Sequence, residues 1–327
     1  MALALYHPEG GFFGAGELRS VKAGDFLTSP EVSPLFGEAI ARWAASERER
    51  VGVPFRFVEV AGGSGSLLRP LMSSIEVEAW EVEASPAARA ALRELLPPER
   101  VVDSLEEVPA PFRGVIVANE LVDNLPMAVA QRVGGEWRER WVGADGDALV
   151  LVDADPRAEV LDWLDRYAGP VPDGGMVEVQ IAAGEWLTTA MSMVTDGSIV
   201  LFDYGDTAEN LLPRRQDGTL RTYRAHHLGP HPLDEPGATD ITADVNFTAL
   251  DAVARAAGWE SKIWRQDDFL AELGVRAEVS QMRKRELELA RSGDEIERLK
   301  VRTRRTEAET LLNPRGLGDF RVLVVSC

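Results

Sequence analysis

The chain has 327 residues, with 35 Lys and Arg against 54 Asp and Glu, which gives a formal net charge of −19. A charge of this sign argues against general nucleic-acid binding, which depends on neutralising phosphates, and against docking on anionic lipid. Cys327 is the only cysteine, so a disulfide framework and a cysteine-rich zinc site are excluded. No apolar run has the length of a membrane span and no leader peptide is recognisable, so we expect a cytoplasmic location.

The N-terminal region, residues 1–50, is predicted to form a lid followed by a helix. Residues 1–37 are rich in Gly and Pro but contain four Phe, which favours an ordered loop over a disordered linker. The helix is expected over residues 34–48, with Pro34 at an early helical position. Residues 51–327 are predicted to form the main domain.

Apolar runs that alternate with helical patterns organise this main domain. They predict an α/β fold of the Rossmann-like type, a central and mostly parallel sheet with helices on both faces. The predicted strands lie at 55–60, 77–83, 101–102, 114–120 and 197–205, with a hairpin of 137–142 and 148–154 and a closing strand at 320–326. Further helices are predicted at 67–74, 85–96, 156–168, 181–194 and 247–258.

Two insertions interrupt this pattern. Residues 206–246 are polar and contain Pro and Gly, so they are predicted to be a long loop of the kind that is usually functional or disordered. Residues 266–315 are predicted to form a helical insertion, in which 278–312 is expected to be a long, charged and solvated helical stretch.

The segment FVEVAGGSGSLL (57–68) carries the clearest functional pattern: a strand runs into a glycine-rich turn and then a helix. Glycine lets a ligand approach the backbone, and the helix N-terminus offers free N–H groups. Because Gly63 and Gly65 are followed by Ser-Leu-Leu, the third small residue of the dinucleotide fingerprint is missing, which makes an NAD-linked oxidoreductase a weak alternative. Glu59, before the glycines, suits S-adenosylmethionine, which carries a cationic sulfonium and an amino-acid tail where a dinucleotide carries pyrophosphate.

Acids at the ends of neighbouring strands extend this cofactor site. Glu59 is expected to hold the amino group of the tail, and Glu83, preferred over Glu81, to meet the ribose hydroxyls. Asp103 either meets the adenine amine or only caps a turn. The predicted cofactor-binding residues are Glu59, Ala61, Gly62, Gly63, Gly65, Glu83, Asp103 and Asn119.

The segment VIVANELVDNLP (115–126) places Asn119 and Glu120 at the carboxyl end of a central strand, where ligands of open α/β sheets bind. Carboxylates there could clamp a guanidinium bidentately and offset its charge while a methyl group is transferred. The alternative is that Glu120 and Asp123 only cap a helix that begins near Leu121.

Several segments together resemble the MidA-like family of S-adenosylmethionine-dependent methyltransferases, which includes a mitochondrial arginine methyltransferase that assists complex I assembly. They include GDFLTSPEVSPLFGEAIARW (24–43), FVEVAGGSGSL (57–67), VIVANELVDNLP (115–126), VLFDYGD (200–206) and DITADVNF (240–247). The chain departs from the family at Ala61, where another glycine is usual, and at Gly62, where a proline is usual.

The resemblance implies an arginine side chain of a protein substrate as methyl acceptor, with a respiratory-complex subunit as one candidate partner. It implies the following roles: Asp25, Glu120, Asp123 and Asp203 as catalytic residues, and Thr28, Ser29, Glu31, Tyr204 and Tyr223 as substrate contacts. It also implies that residues 206–246 cover the crevice as a substrate lid. Two alternatives stay open, a non-catalytic assembly protein on a methyltransferase fold and a small-molecule N-methyltransferase. A homodimer is one candidate oligomeric state.

No metal site is expected. His226, His227 and His231 lie in a Pro- and Gly-rich loop without the spacing of a zinc motif. The eight Trp are expected to pack in the core or against strands.

Overall fold

The computed structural model describes residues 1–15, 28–224 and 227–327. The strands are β1 (Arg56–Val60), β2 (Glu78–Val82), β3 (Val101–Val102), β4 (Phe112–Asn119), β5 (Ala128–Val133), β6 (Glu136–Asp145), β7 (Ala148–Ala154), β8 (Met176–Val179), β9 (Val194–Asp203), β10 (Gly205–Asp206), β11 (Arg221–Arg224), β12 (His227–Leu228), β13 (Asp240–Thr242), β14 (Val245–Asn246), β15 (Glu260–Arg265) and β16 (Arg321–Ser326). The helices are α1 (Ala2–Tyr6), α2 (Ser29–Val32), α3 (Pro34–Val51), α4 (Leu68–Ser74), α5 (Pro86–Leu92), α6 (Ala158–Tyr167), α7 (Ile181–Met193), α8 (Ala208–Leu211), α9 (Phe247–Ala256), α10 (Gln266–Glu272), α11 (Val275–Ser292) and α12 (Glu295–Leu311).

The central sheet has seven strands in the order β15-β16-β9-β4-β1-β2-β3. The five strands from β9 to β3 are parallel to one another, whereas β16 pairs antiparallel with both β9 and β15. The predicted α/β architecture with a mostly parallel sheet is therefore confirmed. Strand β15 was not predicted, because its side chains are exposed or half-buried and give no apolar run.

Helices cover both faces of this sheet because its central strands are apolar on both faces. Val115 and Val117 of β4 face one way and pack in a cluster with Phe36 of α3. Ile116, between them, faces the other way and packs in a cluster with Leu187 of α7.

Because they run in the same direction, the parallel strands end at one common edge, and the ends of β1, β2, β4 and β9 lie there side by side.

A second sheet, in the order β7-β6-β5-β8, contains the predicted hairpin as β6 and β7. Strands β5 and β8 extend it, and neither was predicted. The 206–246 insertion is not the long loop that we predicted. It contains α8, the paired strands β10 and β14, and a small antiparallel sheet of β12, β11 and β13.

The predicted helical stretch over 278–312 is present as two helices, because α11 ends where Gly293 adopts a φ of +81°. Asp294 then caps α12, its side chain accepting a hydrogen bond of 3.1 Å from the backbone N–H of Glu297. The two helices pack on each other through ion pairs such as Arg283–Glu309. No helix of the described residues is both long and apolar enough to cross a membrane.

Candidate active site

A cavity of about 950 Å³ lies at the carboxyl edge of the parallel strands. The strand ends and the glycine loop after β1 form its floor. Residues of α1 and α2 and of the 206–246 insertion complete the walls, among them Tyr6, Pro30 and Tyr223. This is the crevice in which open α/β sheets bind their ligands.

Glu83 fixes the glycine loop to the end of β2. One of its carboxylate oxygens accepts the backbone N–H of Gly63 at 3.0 Å, and the other accepts that of Ser85 at 2.7 Å. Burial raises the pKa of Glu83, and these N–H bonds oppose the rise. The carboxylate still lines the cavity, so the predicted contact with ribose hydroxyls is compatible with its place.

The glycine loop has an unusual backbone at Ala61, whose φ is +61°. This is the left-handed region that favours glycine, and it explains why glycine suits this position. The N–H of Ala61 donates to Val82 O at 2.8 Å, which joins the loop to β2. Gly65 has a left-handed backbone as well, with a φ of +75°, and a Cβ there would also lie 2.6 Å from Leu95 Cδ1.

Glu120 lies directly after β4, with a φ of +52° that turns its side chain out of the strand direction into the cavity. Its carboxylate accepts a hydrogen bond of 3.1 Å from Asn119 Nδ2. Burial raises the pKa of Glu120 to about 8, with a further contribution from Asp123, while Asn119 and the backbone N–H of Ser29 lower it.

Asp123 is held by residues from two distant segments. Its Oδ2 accepts hydrogen bonds from Thr242 Oγ1 at 2.5 Å and from the Tyr204 hydroxyl. Its Oδ1 is buried and has no hydrogen-bond partner among the described residues. Burial raises the pKa of Asp123, and the two hydroxyl groups oppose that rise. The free oxygen is available to a ligand in the cavity, which Asp123 lines.

Asp203 lies behind this site and not in the cavity wall. Its carboxylate accepts the backbone N–H groups of Val122 at 3.0 Å, Asp123 at 3.2 Å and Tyr204 at 2.9 Å. Burial raises its pKa well above the ordinary value. Direct contact of Asp203 with an acceptor does not fit this position, and the residue instead shapes the turn that carries Asp123.

Most of the predicted site residues line this one cavity: Thr28, Glu31, Glu59, Ala61, Gly62, Gly63, Glu83, Asp103, Asn119, Glu120, Asp123, Tyr204 and Tyr223. Ser29 does not line it, because its hydroxyl bonds to Gln266 Oε1 at 3.3 Å. Gly65 and Asp203 also lie behind the wall. Asp25 falls outside the described residues. The roles assigned to all of these residues stay predictions.

Sequence reasoning missed four aromatic residues that line the cavity: Tyr6, Phe13, Trp186 and Phe320. The Tyr6 hydroxyl donates to Asn124 O at 3.2 Å, a contact between residues 118 positions apart. We expected the Trp residues to pack in the core or against strands. Trp186 does contact the core, but it also faces the cavity. Helical spacing could have found it, since Ala182, Glu185, Trp186 and Thr189 share one face of α7 and all line the cavity.

In the described part of the chain, no group of three or more His, Cys, Asp or Glu is arranged to hold a metal ion. The cavity is lined by glycine-loop backbone, aromatic rings and carboxyl groups. These groups fit a nucleoside whose tail carries an ammonium group.

Comparison with known proteins decides the family. A model described as "Putative S-adenosyl-L-methionine-dependent methyltransferase" matches residues 39–264, more than half of the chain. The chain belongs to this family. The predicted MidA-like resemblance and S-adenosylmethionine as cofactor are thereby confirmed.

The methyltransferase is 29% identical over 304 residues to the mitochondrial protein arginine methyltransferase NDUFAF7 homolog of Drosophila melanogaster, covering 79% of this chain and 66% of that protein. It is 27% identical over 319 residues to human mitochondrial protein arginine methyltransferase NDUFAF7, covering 84% and 69%. The chain thus spans about two thirds of the length of these relatives.

A solved structure from Burkholderia thailandensis, bound to S-adenosyl-homocysteine, superposes on the methyltransferase with a TM-score of 0.86. The two chains are 28% identical, and the superposition covers 100% of this chain and 86% of the other.

Proposed function

We propose that this methyltransferase transfers a methyl group to a guanidinium nitrogen of an arginine side chain in a protein substrate. The acidity of the cavity is the observation that carries the proposal. Of the described residues that line it, one is a Lys or Arg, namely Arg221, and nine are acids: Glu31, Glu59, Glu83, Asp103, Glu106, Glu120, Asp123, Glu185 and Asp240.

Arg221 does little to neutralise these acids. Its guanidinium pairs with Asp244 at 2.5 Å, outside the cavity wall, and lies over the ring of Tyr204 at 5.4 Å from the ring centroid. The polar wall of the cavity therefore consists mainly of carboxyl groups, and a cationic guest would stabilise their ionised form.

The acceptor side of the cavity fits a guanidinium in particular. Glu120 and Asp123 are two carboxyl groups in one wall, and Asp123 Oδ1 has no hydrogen-bond partner in the described structure. A planar guanidinium presents N–H groups in a fork that matches carboxylates. Bidentate contacts would orient one nitrogen toward the methyl donor, and positioning of this kind supplies much of the rate in such transfers.

When bound, the cofactor supplies an electrophilic methyl group on a sulfonium sulfur. As the new C–N bond forms and the C–S bond breaks, the attacking nitrogen must lose one proton. Glu120 lines the cavity with Asp123 and can accept that proton. Without a bound cation its pKa is raised to about 8, and a bound guanidinium lowers this pKa and so keeps the carboxylate ionised before transfer.

The NDUFAF7 relatives are named protein arginine methyltransferases, which supports the same acceptor. The cytoplasmic location, a respiratory-complex subunit as substrate and a homodimer stay predictions. A small-molecule amine as acceptor and a purely structural assembly role are the outcomes against which the proposal is tested.

The test is incubation of a cell lysate with isotopically labelled methyl donor and either the wild-type protein, Asp123→Asn, or the control Asp162→Asn, an exposed acid on α6. We expect methylarginine in a protein band with wild type and control, and its loss with Asp123→Asn. Mass spectrometry of the labelled species identifies the substrate. Label found only in small molecules, or no label at all, would contradict a protein arginine acceptor.

A further inference from the structure

Two buried acids lie side by side under the glycine loop. Glu59 of β1 and Glu81 of β2 are direct partners in the register of these parallel strands. Glu59 is 4% exposed and faces the cavity, whereas Glu81 is completely buried and lies behind Gly62. A Cβ at Gly62 would lie 2.0 Å from Glu81 Oε2, so the loop closes directly onto this second acid.

This acid pair has no cationic partner in the described structure. Glu59 Oε2 and both carboxyl oxygens of Glu81 are buried and have no hydrogen-bond partner among the described residues. Two ionised carboxylates in such a place would cost a great deal of free energy, so the pair must hold protons until a cation arrives.

Protonation of the pair follows from its surroundings. Burial raises the pKa of Glu59 to about 8 and that of Glu81 well above its ordinary value. Glu83, directly after the end of β2, is another charged group that acts on both acids, and it raises both of their pKa values. A proton that Glu81 holds toward Glu59 opposes the rise in the pKa of Glu59, because a neutral acid that donates a hydrogen bond stabilises a neighbouring carboxylate.

We propose that Glu81 is a positioning residue of the cofactor site, a neutral carboxylic acid that donates a hydrogen bond to Glu59 and stabilises the ionised form of Glu59 toward the ammonium group of the cofactor's amino-acid tail. Binding of this ammonium group then releases the proton of Glu59, while Glu81 keeps its own. At the acid pair the charge balances, since the ammonium group takes the place of the proton that leaves. This inference depends on the family's cofactor and on the predicted contact of Glu59, and it is independent of the methyl acceptor.

The proton count on the wild-type protein is the first measurement. Calorimetric titration with S-adenosylhomocysteine at pH 7 is repeated in two buffers of different ionisation enthalpy, and then with 5′-methylthioadenosine, which keeps the nucleoside but lacks the amino-acid tail. Because both ligands carry the ribose, proton changes at Glu83 cancel between them. We expect S-adenosylhomocysteine to release close to one proton more. Equal release by the two ligands would overturn the proposal.

Variants then separate the two acids. Glu81→Gln keeps a donor to Glu59 and should bind within about threefold of wild type, whereas Glu81→Leu should bind at least about tenfold more weakly. Glu59→Gln should abolish the difference in proton release between the ligands. Glu76→Gln, an exposed acid just before β2, is the control. Wild-type affinity in Glu81→Leu, or equal weakening in the Gln and Leu variants, would show that the donor role is wrong.

Discussion

Asp203 Oδ2 accepts the backbone N–H of Asp123 at 3.2 Å, across two neighbouring strand ends. The same oxygen accepts the N–H of Val122, and the other oxygen accepts that of Tyr204. The buried carboxylate of Asp203 therefore fixes the turn that carries Asp123. It also fixes Tyr204, whose hydroxyl donates a hydrogen bond to Asp123. The acceptor side of the site depends on a residue that does not reach the cavity.

Replacing Asp203 by Asn should lower kcat/KM for methyl transfer without loss of cofactor affinity. The amide leaves at least one of the three N–H groups without an acceptor, and a displaced Asp123 is expected to cost on the order of 100-fold in rate. Steady-state kinetics and calorimetric titration of the cofactor measure the two effects. Asp196→Asn, at the other and more exposed end of β9, is the matched control. Wild-type kinetics in Asp203→Asn would show that the turn does not need this carboxylate.

Tyr204→Phe should shift the pH dependence of the reaction to higher pH. The Tyr204 hydroxyl stabilises the ionised form of Asp123, so its removal raises the pKa of Asp123. As the pH falls, activity that requires the ionised carboxylate is then lost at a higher pH than in the wild type. The defect should therefore be larger at pH 7 than at pH 9. The pH profile of kcat/KM checks this. Tyr167→Phe, on α6, controls for loss of a hydroxyl elsewhere; equal defects at both pH values would argue against the hydrogen bond.

Glu120→Gln should stabilise the protein at alkaline pH while reducing activity. The folded-state pKa of Glu120, about 8, lies above its ordinary value of 4.5. Stability from burying the neutral acid is therefore complete below pH 4.5 and is lost as the pH rises through 8. We expect the variant to gain on the order of 1–3 kcal/mol relative to wild type between pH 5 and pH 9.

Denaturant unfolding of wild type and Glu120→Gln at both pH values measures this difference. Glu185→Gln changes an exposed acid of the same cavity and should show no such gain. A difference between wild type and Glu120→Gln that does not change with pH would mean that Glu120 is ionised in the folded protein throughout this range.

Ala61→Gly should stabilise the fold by about 1 kcal/mol, because alanine at a φ of +61° is strained and glycine is not. The hydrogen bond from the N–H of residue 61 to Val82 O is unchanged by the substitution, so cofactor affinity should be retained. Thermal and denaturant unfolding measure the gain. Ala91→Gly, in helix α5, should instead destabilise by up to about 1 kcal/mol. A loss of stability in Ala61→Gly would mean that the loop does not adopt this backbone in solution.

The floor of the site could be predicted from sequence because a parallel sheet puts all its carboxyl ends at one edge. Glu59, Glu83 and Glu120 each come at or directly after the end of a recognisable strand, and the structure places all three around one cavity. Local pattern and a general rule of topology were sufficient there. The same reasoning placed Asp203 at this edge, but its direction away from the cavity depends on which backbone N–H groups surround it.

The walls could not be predicted in the same way, because they depend on contacts between distant segments. Thr242 reaches Asp123 through a strand of the 206–246 insertion whose polar sequence resembles a loop. Tyr6 reaches the cavity because Leu5 and Phe12 pack with Ile241. Gly293 divides a continuous helical pattern because its backbone becomes left-handed, and sequence periodicity does not report that change.

The contacts that complete the acceptor side join remote parts of the chain: Tyr6 with Asn124, Ser29 with Gln266, and Asp123 with Thr242. Their sequence separations are 118, 237 and 119 residues. Closing such long loops is entropically costly and slow compared with forming local helices and turns. During folding, the glycine loop and the first strands can assemble from neighbouring residues, whereas the acceptor pocket must await the arrival of the C-terminal third of the chain. A nascent or partly folded molecule should therefore acquire its nucleoside-binding half before it acquires the other half.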